Sequence, residues 1–345
     1  NPELFGETGL PQRLKGTKYT QSTILRLFPE SYLCEILVPS CLCGKKKVTM
    51  NQHHQKIVPH LWFDREAQEA VHFYVSIFPD SAVTGKTVLS GTHSGDVDIL
   101  AFELWGNSFM AISAGPLFRI NQSISFHVYC GTDAEIERIY GALSEGGTVI
   151  FPLNSYPWSR KYAWVQDKFG MTWQLDVDPV NSPQKIVPSL LFLNEKVGWV
   201  KPAMEYYTSI FPNSGILMEA PHGPEANLPE GALIFAQYKL DGYLINSMSG
   251  PGQYDFDFNE AVSLMVYCDN QEEINYFWDK LSDGGQEQPC GWVKDRFGIS
   301  WQVVPVDMVE MMKTADKAQL DRVMEAMMPM MKLDLEALRK VYNNK

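Results

Sequence analysis

Five sequence blocks occur twice in the same order at similar spacing, and this duplication constrains the fold more than any other feature. Ile57-Val-Pro-His60-Leu-Trp-Phe63 returns as Ile186-Val-Pro-Ser189-Leu-Leu-Phe192. Phe73-Tyr-Val-Ser-Ile-Phe-Pro79 returns as Tyr206-Tyr-Thr-Ser-Ile-Phe-Pro212, and Gly115-Pro116 as Gly250-Pro251. Ser125-Phe-His-Val-Tyr-Cys130 is echoed by Ser263-Leu-Met-Val-Tyr-Cys268. Asp167-Lys-Phe-Gly-Met-Thr-Trp-Gln174 is echoed by Asp295-Arg-Phe-Gly-Ile-Ser-Trp-Gln302. The halves therefore run over 57–178 and 186–305, with a breaker-rich linker at 179–185.

The element order repeats again inside each half. Apolar alternation predicts strands at 58–63, 97–103, 108–113, 124–129, 148–151, 161–165 and 171–176, and helices at 66–77 and 133–143. Gly146-Gly147 ends the second helix, and Asp167 to Gly170 forms a tight turn. The reading is an α+β chain of four β-α-β-β-β modules, two per half. Each half is expected to close its own cupped mixed sheet around a small molecule. Period-two alternation puts His60 with Trp62 on the inner face, Ser125 with His127, and Thr172 with Gln174 and Asp176. Trp173 and Trp301 then pack on the opposite face.

Residues 1–56 lack clear periodicity and are expected to be a disordered or non-native extension, with Met50 a candidate natural start. Residues 306–345 read as a helical extension. Leu320, Val323, Met324 and Met327 form one apolar stripe, and Leu335, Leu338 and Val341 a second beyond Pro329. The tail has no strongly basic face, so it is expected to pack over a domain.

The net charge is -12, which argues against a nucleic-acid partner. No apolar run reaches the roughly 18 residues of a membrane helix. The six cysteines suggest no disulfide framework, and Cys41-x-Cys43 is too tight for a usual zinc knuckle. The expected location is the cytoplasm. A monomer is expected, with a homodimer as the alternative.

The chain resembles the vicinal-oxygen-chelate superfamily of glyoxalases, bleomycin-resistance proteins and extradiol dioxygenases. More closely it resembles the PhnB-like branch, often labelled 3-demethylubiquinone-9 3-methyltransferase. Phe258-Asn-Glu-Ala-Val-Ser263, Gly284-Gly285 and the run from Cys290 to Pro305 carry this resemblance, with their first-half echoes. It implies metal-ligand positions at His60, Ser125 and Gln174, and at Ser189, Ser263 and Gln302 in the second half. Those side chains are mostly neutral, so no metal and no other cofactor is expected. The glycine-rich strand-to-helix turn that commonly cradles a nucleoside cofactor does not occur, which weakens the methyltransferase label.

Three readings follow. The first is a metal-independent small-molecule-binding protein, its pocket lined by His60, Trp62, Ser125, His127 and Gln174, with Ser189, Ser263 and Gln302 in the second half. The second is an enzyme of lyase, isomerase or methyl-transfer type, with His60 or His127 as general base. The third is an architectural pseudo-dimer.

Overall fold

The computed structural model describes residues 55–92, 95–177 and 183–344. Most of the amino-terminal extension and of the linker lies outside the described residues. Module 1 comprises β1 (Ile57–Phe63), α1 (Ala67–Ile77), β2 (Ala82–Thr92), β3 (Gly95–Leu104) and β4 (Asn107–Ser113). Module 2 comprises β5 (Ile124–Cys130), α2 (Asp133–Ser144), β6 (Thr148–Tyr156), β7 (Ser159–Gln166) and β8 (Thr172–Val177). Module 3 comprises β9 (Ile186–Phe192), α3 (Val200–Ile210), β10 (Gly215–Pro221), β11 (Leu233–Leu240) and β12 (Tyr243–Ser249). Module 4 comprises β13 (Val262–Cys268), α4 (Gln271–Ser282), β14 (Gln286–Glu287), β15 (Trp292–Lys294) and β16 (Ser300–Pro305). Three tail helices follow: α5 (Asp307–Thr314), α6 (Lys317–Met327) and α7 (Leu335–Asn343).

The α+β module pattern is as the sequence predicts, but the strand partners are not. One eight-stranded sheet runs β14-β15-β16-β13-β1-β4-β3-β2 and the other β10-β11-β12-β9-β5-β8-β7-β6. Modules 1 and 4 thus form an outer-module cup, and modules 2 and 3 an inner-module cup. The expectation that each half closes its own cup is corrected: every cup takes one module from each half. Antiparallel seams make the joins, with Ile57 opposite Val266 between β1 and β13, and Ser125 opposite Ser189 between β5 and β9. The sequence allows this because β5 and β13 carry nearly the same side chains, so either could receive β1.

The helix-bearing faces of both sheets share one core, which interlocks the halves in the other direction. Phe109 of β4 meets Phe126 of β5 edge-on at 5.2 Å, and Trp173 packs against Tyr74 of α1. Trp173 and Trp301 are fully buried there, as the alternation predicts.

The repeated Asp-x-Phe-Gly turn ties that core together. Asp295 Oδ1 accepts from the Phe297 and Ile299 amides, and Oδ2 from Trp301 Nε1 and the Tyr207 hydroxyl of α3. Burial nevertheless holds this carboxyl at about 6, above its ordinary range. Asp167 repeats the arrangement with Phe169, Met171 and Trp173. The neighbouring Gly-Gly pairs have two distinct tasks. Gly284 takes a φ of +72°, while a Cβ on Gly285 would lie 2.3 Å from the Lys294 carbonyl oxygen.

One strand of the first module has no counterpart in the spans read from the sequence. Strand β2 is a sheet edge interrupted by register shifts, and Val83 and Val88 face solvent, so it lacks clean alternation. Helix α5, directly after β16, lies within the helical extension expected over 306–345 and buries Met308 and Met311.

Two outcomes are expected. With a protease site placed in the 178–182 segment, the cut fragments should co-elute as one particle in size-exclusion chromatography. Separation into independently folded halves would contradict the cross-half seams. Asp295→Ala strands four donors and should lower unfolding free energy by about 3 kcal/mol. Urea denaturation measures this, and a loss under about 1 kcal/mol would be too small for the network described.

Candidate functional site

The inner faces of the two sheets carry the side chains singled out in the sequence, but in two separate places. His60 and Trp62 belong to the outer-module cup with Ser263 and Gln302. Ser125, His127 and Gln174 belong to the inner-module cup with Ser189. His60 and His127 therefore do not share a pocket, and the expected first-half lining is divided between the two sheets.

In the outer-module cup, His60 on β1 faces Ser263 on β13 and Met110 on β4. Gln302 Nε2 donates to Ser263 Oγ at 2.9 Å. His60 is buried, its Nδ1 lacks a hydrogen-bond partner, and its ring meets Trp292 edge-on at 5.7 Å. Desolvation lowers its pKa from 6.5 to about 4, so the ring is neutral at pH 7. Trp62 packs edge-on against Phe118 and donates its indole N–H to Gly115 O. The carboxyl tail covers this cup. Met308, Met311, Val323, Leu333 and Leu338 form one apolar cluster with Val58, Met265 and Val304 of the sheet. The packed tail agrees with the apolar stripes read from the sequence.

The inner-module cup is covered differently. Its floor runs from Asn246 on β12 through Ser189 on β9 and Ser125 on β5 to Gln174 on β8 and Trp164 on β7. Gln174 donates to Ser125 Oγ at 2.8 Å and accepts from the Tyr162 hydroxyl at 2.8 Å. Tyr129 receives hydrogen bonds from Asn246 Nδ2 and Gln237 Nε2. Several buried polar atoms are left without partners: both ring nitrogens of His127, Ser189 Oγ and Trp164 Nε1. Such atoms are costly in a dry interior, and their concentration in one cup marks a place built to meet another molecule. His127 is 6% exposed and stacks on Tyr129 at 4.5 Å. Its Nε2 lies 3.6 Å from Asp176 Oδ2, within ion-pair range but without a hydrogen bond. Around this floor stand Phe151, Tyr156, Phe235, Tyr254 and Phe256, half-buried against Leu191, Leu193 and Met248.

The sequence pointed to Ser125, His127, Gln174 and Ser189 and missed what surrounds them. Asp176 shares the inner face by period two, yet its approach to His127 depends on the β5–β8 register. Trp164 enters through its pairing with Gln174, and Asn246 through its pairing with Ser189.

The side chains at the metal-ligand positions of the fold do not suit a tightly held ion. Of the positions that the resemblance implies, His60, Ser263 and Gln302 meet in one sheet, and Ser189, Ser125 and Gln174 in the other. Together they offer one imidazole and no carboxylate, and the glutamines are engaged by serines. Among the described residues, no three His, Cys, Asp or Glu side chains group together as a metal site.

A family model described as 3-demethylubiquinone-9 3-methyltransferase matches the chain twice, over residues 55–176 and 184–304. Among curated proteins none matches. Among solved structures, the chain is similar to a putative 3-demethylubiquinone-9 3-methyltransferase, PhnB protein, from Bacillus cereus. The identity is 33%, covering 36% of this chain and 100% of that one, with a TM-score of 0.35. It is similar to a Pseudomonas aeruginosa protein at 24% identity, covering 36% and 98%, with a TM-score of 0.33. It is also similar to glyoxalase I from Zea mays at 10% identity, covering 74% and 96%, with a TM-score of 0.51, a likeness of fold alone.

The buried His60 ring gives a pH test. Its folded pKa lies below its ordinary value, so its contribution is fully present above pH 6.5 and is lost as pH falls towards 4. Between pH 7 and pH 4, His60→Gln should improve relative to the parent by about 3 kcal/mol. Paired denaturation curves at the two pH values measure the difference, and an unchanged gap would mean that the ring is not held neutral.

Proposed function

We propose that this chain, which belongs to the 3-demethylubiquinone-9 3-methyltransferase family on the vicinal-oxygen-chelate fold, is a metal-independent small-molecule-binding protein whose working pocket is the inner-module cup. The observation that carries this reading is the set of unpartnered buried polar atoms on His127, Ser189 and Trp164, facing half-buried aromatic rings. Trp164 Nε1 can only donate, so the ligand must present an acceptor atom to it. The Ser189 hydroxyl can donate or accept and the His127 ring offers a donor, which suits a ligand carrying hydroxyl or carbonyl oxygens. No lysine or arginine occurs among the floor and rim residues named above, which favours an uncharged ligand over an anion. The aromatic rim suits a planar or amphipathic body.

A second reading is supported by the approach of Asp176 to His127. A carboxylate beside an imidazole can orient the ring, which is the arrangement a general base uses. An enzyme of this kind would exchange the α-protons of a bound ketone with deuterated water, and His127→Gln would abolish the exchange.

Binding is tested with N-phenyl-1-naphthylamine, an uncharged fluorescent aromatic amine, titrated into the full chain. About one equivalent should bind, and Ser189→Leu should weaken binding by about tenfold, equivalent to about 1.4 kcal/mol. His60→Gln should leave it unchanged. Equal binding by the Ser189→Leu chain and its parent would remove the inner-module cup as the pocket.

A further inference from the structure

The outer-module cup has the same architecture as the inner one, yet its concave face is covered by this chain's own tail. We propose that α5 and α6 form a displaceable lid over a second binding cup, and that the molecule replacing them is an uncharged, elongated apolar one with a single hydrogen-bonding group. The proposal is independent of the inner-module pocket, because its residues lie on the other sheet.

Three features of the tail support displacement. First, it is fixed at two places that flank α5 and α6. The Val306 amide donates to Cys268 O at one end, and the Cys290 and Gly291 amides donate to Met330 and Met331 carbonyls at the other. The intervening segment is therefore a flap with both ends held. Second, α5 has 8 residues and α6 has 11, lengths at which isolated helices are marginal in water. Their order depends on the sheet beneath them and on α7, where the Val341 and Tyr342 carbonyls accept from Arg322 Nε and Gln319 Nε2. Third, their grip on that sheet is largely apolar and rich in methionine: Met308, Met311 and Val323 in one cluster, and Leu320, Met312 and Met324 in another. Thioether side chains repack readily against differently shaped partners. A hydrogen bond from Thr87 Oγ1 to the Met312 carbonyl adds a polar tie to β2.

The covered face also contains a group that the tail does not satisfy. His60 Nδ1 is buried without a partner, its ring against Trp292 and its strand neighbours Val58 and Trp62 packed against the tail. A lid evolved solely as core would be expected to meet an apolar side chain there or to supply a hydrogen bond. A neutral imidazole can pair with one hydroxyl, carbonyl or ether of an incoming molecule. Val58, Trp62, Met265 and Val304 line the remainder with apolar surface. Burial keeps the ring uncharged at neutral pH, and the neighbouring cation Lys294 is already paired with Glu260 at 2.6 Å. A carboxylate or phosphate would therefore find no free positive partner among these groups.

The test uses full-length protein and Nile red, an uncharged apolar dye. Val323→Asp places a charge at the buried contact between α6 and the sheet and should release the flap while its flanking anchors remain. This chain should bind about one equivalent of dye more than its parent, as one additional pocket would. Dodecanol should displace that additional dye at lower concentration than dodecanoate. Both chains are also measured with Ser189→Leu, so that failure at the inner-module cup cannot alter the difference. If Val323→Asp loses its cooperative unfolding transition, Leu320→Ala decides, with an expected rise in bound dye of about threefold. A flap that becomes protease-sensitive without additional dye uptake would overturn the proposal, as would preferential displacement by dodecanoate.

Discussion

The antiparallel seam between first strands is the interaction on which the rest of this molecule depends. β1 meets β13, and β5 meets β9, so each continuous sheet is completed by the opposite half. Without these seams a module would leave its first strand with an unsatisfied row of backbone donors and acceptors. The seams also bring paired inner-face positions together. His60 faces Ser263 in one sheet, and Ser125 faces Ser189 in the other.

Duplication has given the two cups different interiors on a shared plan. In both, a glutamine from the last strand of a module donates to a serine on the first. In the outer-module cup the adjoining surface is methionine and valine, met by tail helices of the same character. In the inner-module cup it is asparagine, tyrosine and histidine, ringed by aromatic side chains. The same hydrogen-bonded pair thus sits beneath a hydrophobic lid in one place and within a polar recess in the other. The chemistry differs because the neighbours differ.

Much of this was legible in the sequence, for identifiable reasons. Period two places His60 with Trp62, and Ser125 with His127, because adjacent residues of a strand face opposite ways. The same rule sends Trp173 and Trp301 into the core. It cannot say which strand lies alongside. Ser125 to Cys130 and Ser263 to Cys268 are so alike that local pattern gives β1 no preference between them. The placement of His60 and His127 in separate cups follows from that choice, as does the approach of Asp176 to His127 from the inter-strand register. Strand β2 was hidden by its exposed, bulged edge, and the role of the tail by the absence of any local mark of what it covers.

The cross-half topology also sets the order in which the chain can complete itself during synthesis. Modules 2 and 3 are consecutive, so the inner-module sheet can close before module 4 has been made. Module 1 waits much longer: Ile57 needs Val266, roughly 200 residues away. At about 5–20 residues per second this is a delay of roughly 10–40 seconds, during which the apolar β1 has no permanent neighbour on that edge. Its sequence, Ile57-Val-Pro-His60-Leu-Trp-Phe63, is apolar enough to attract other nascent strands, and the backbone groups of Lys56 and Trp62 that finally bond Tyr267 and Ala261 stay open meanwhile. Pro59 turns its backbone towards β4 instead, so it costs the seam no hydrogen bond and leaves that edge a full template for pairing until module 4 arrives.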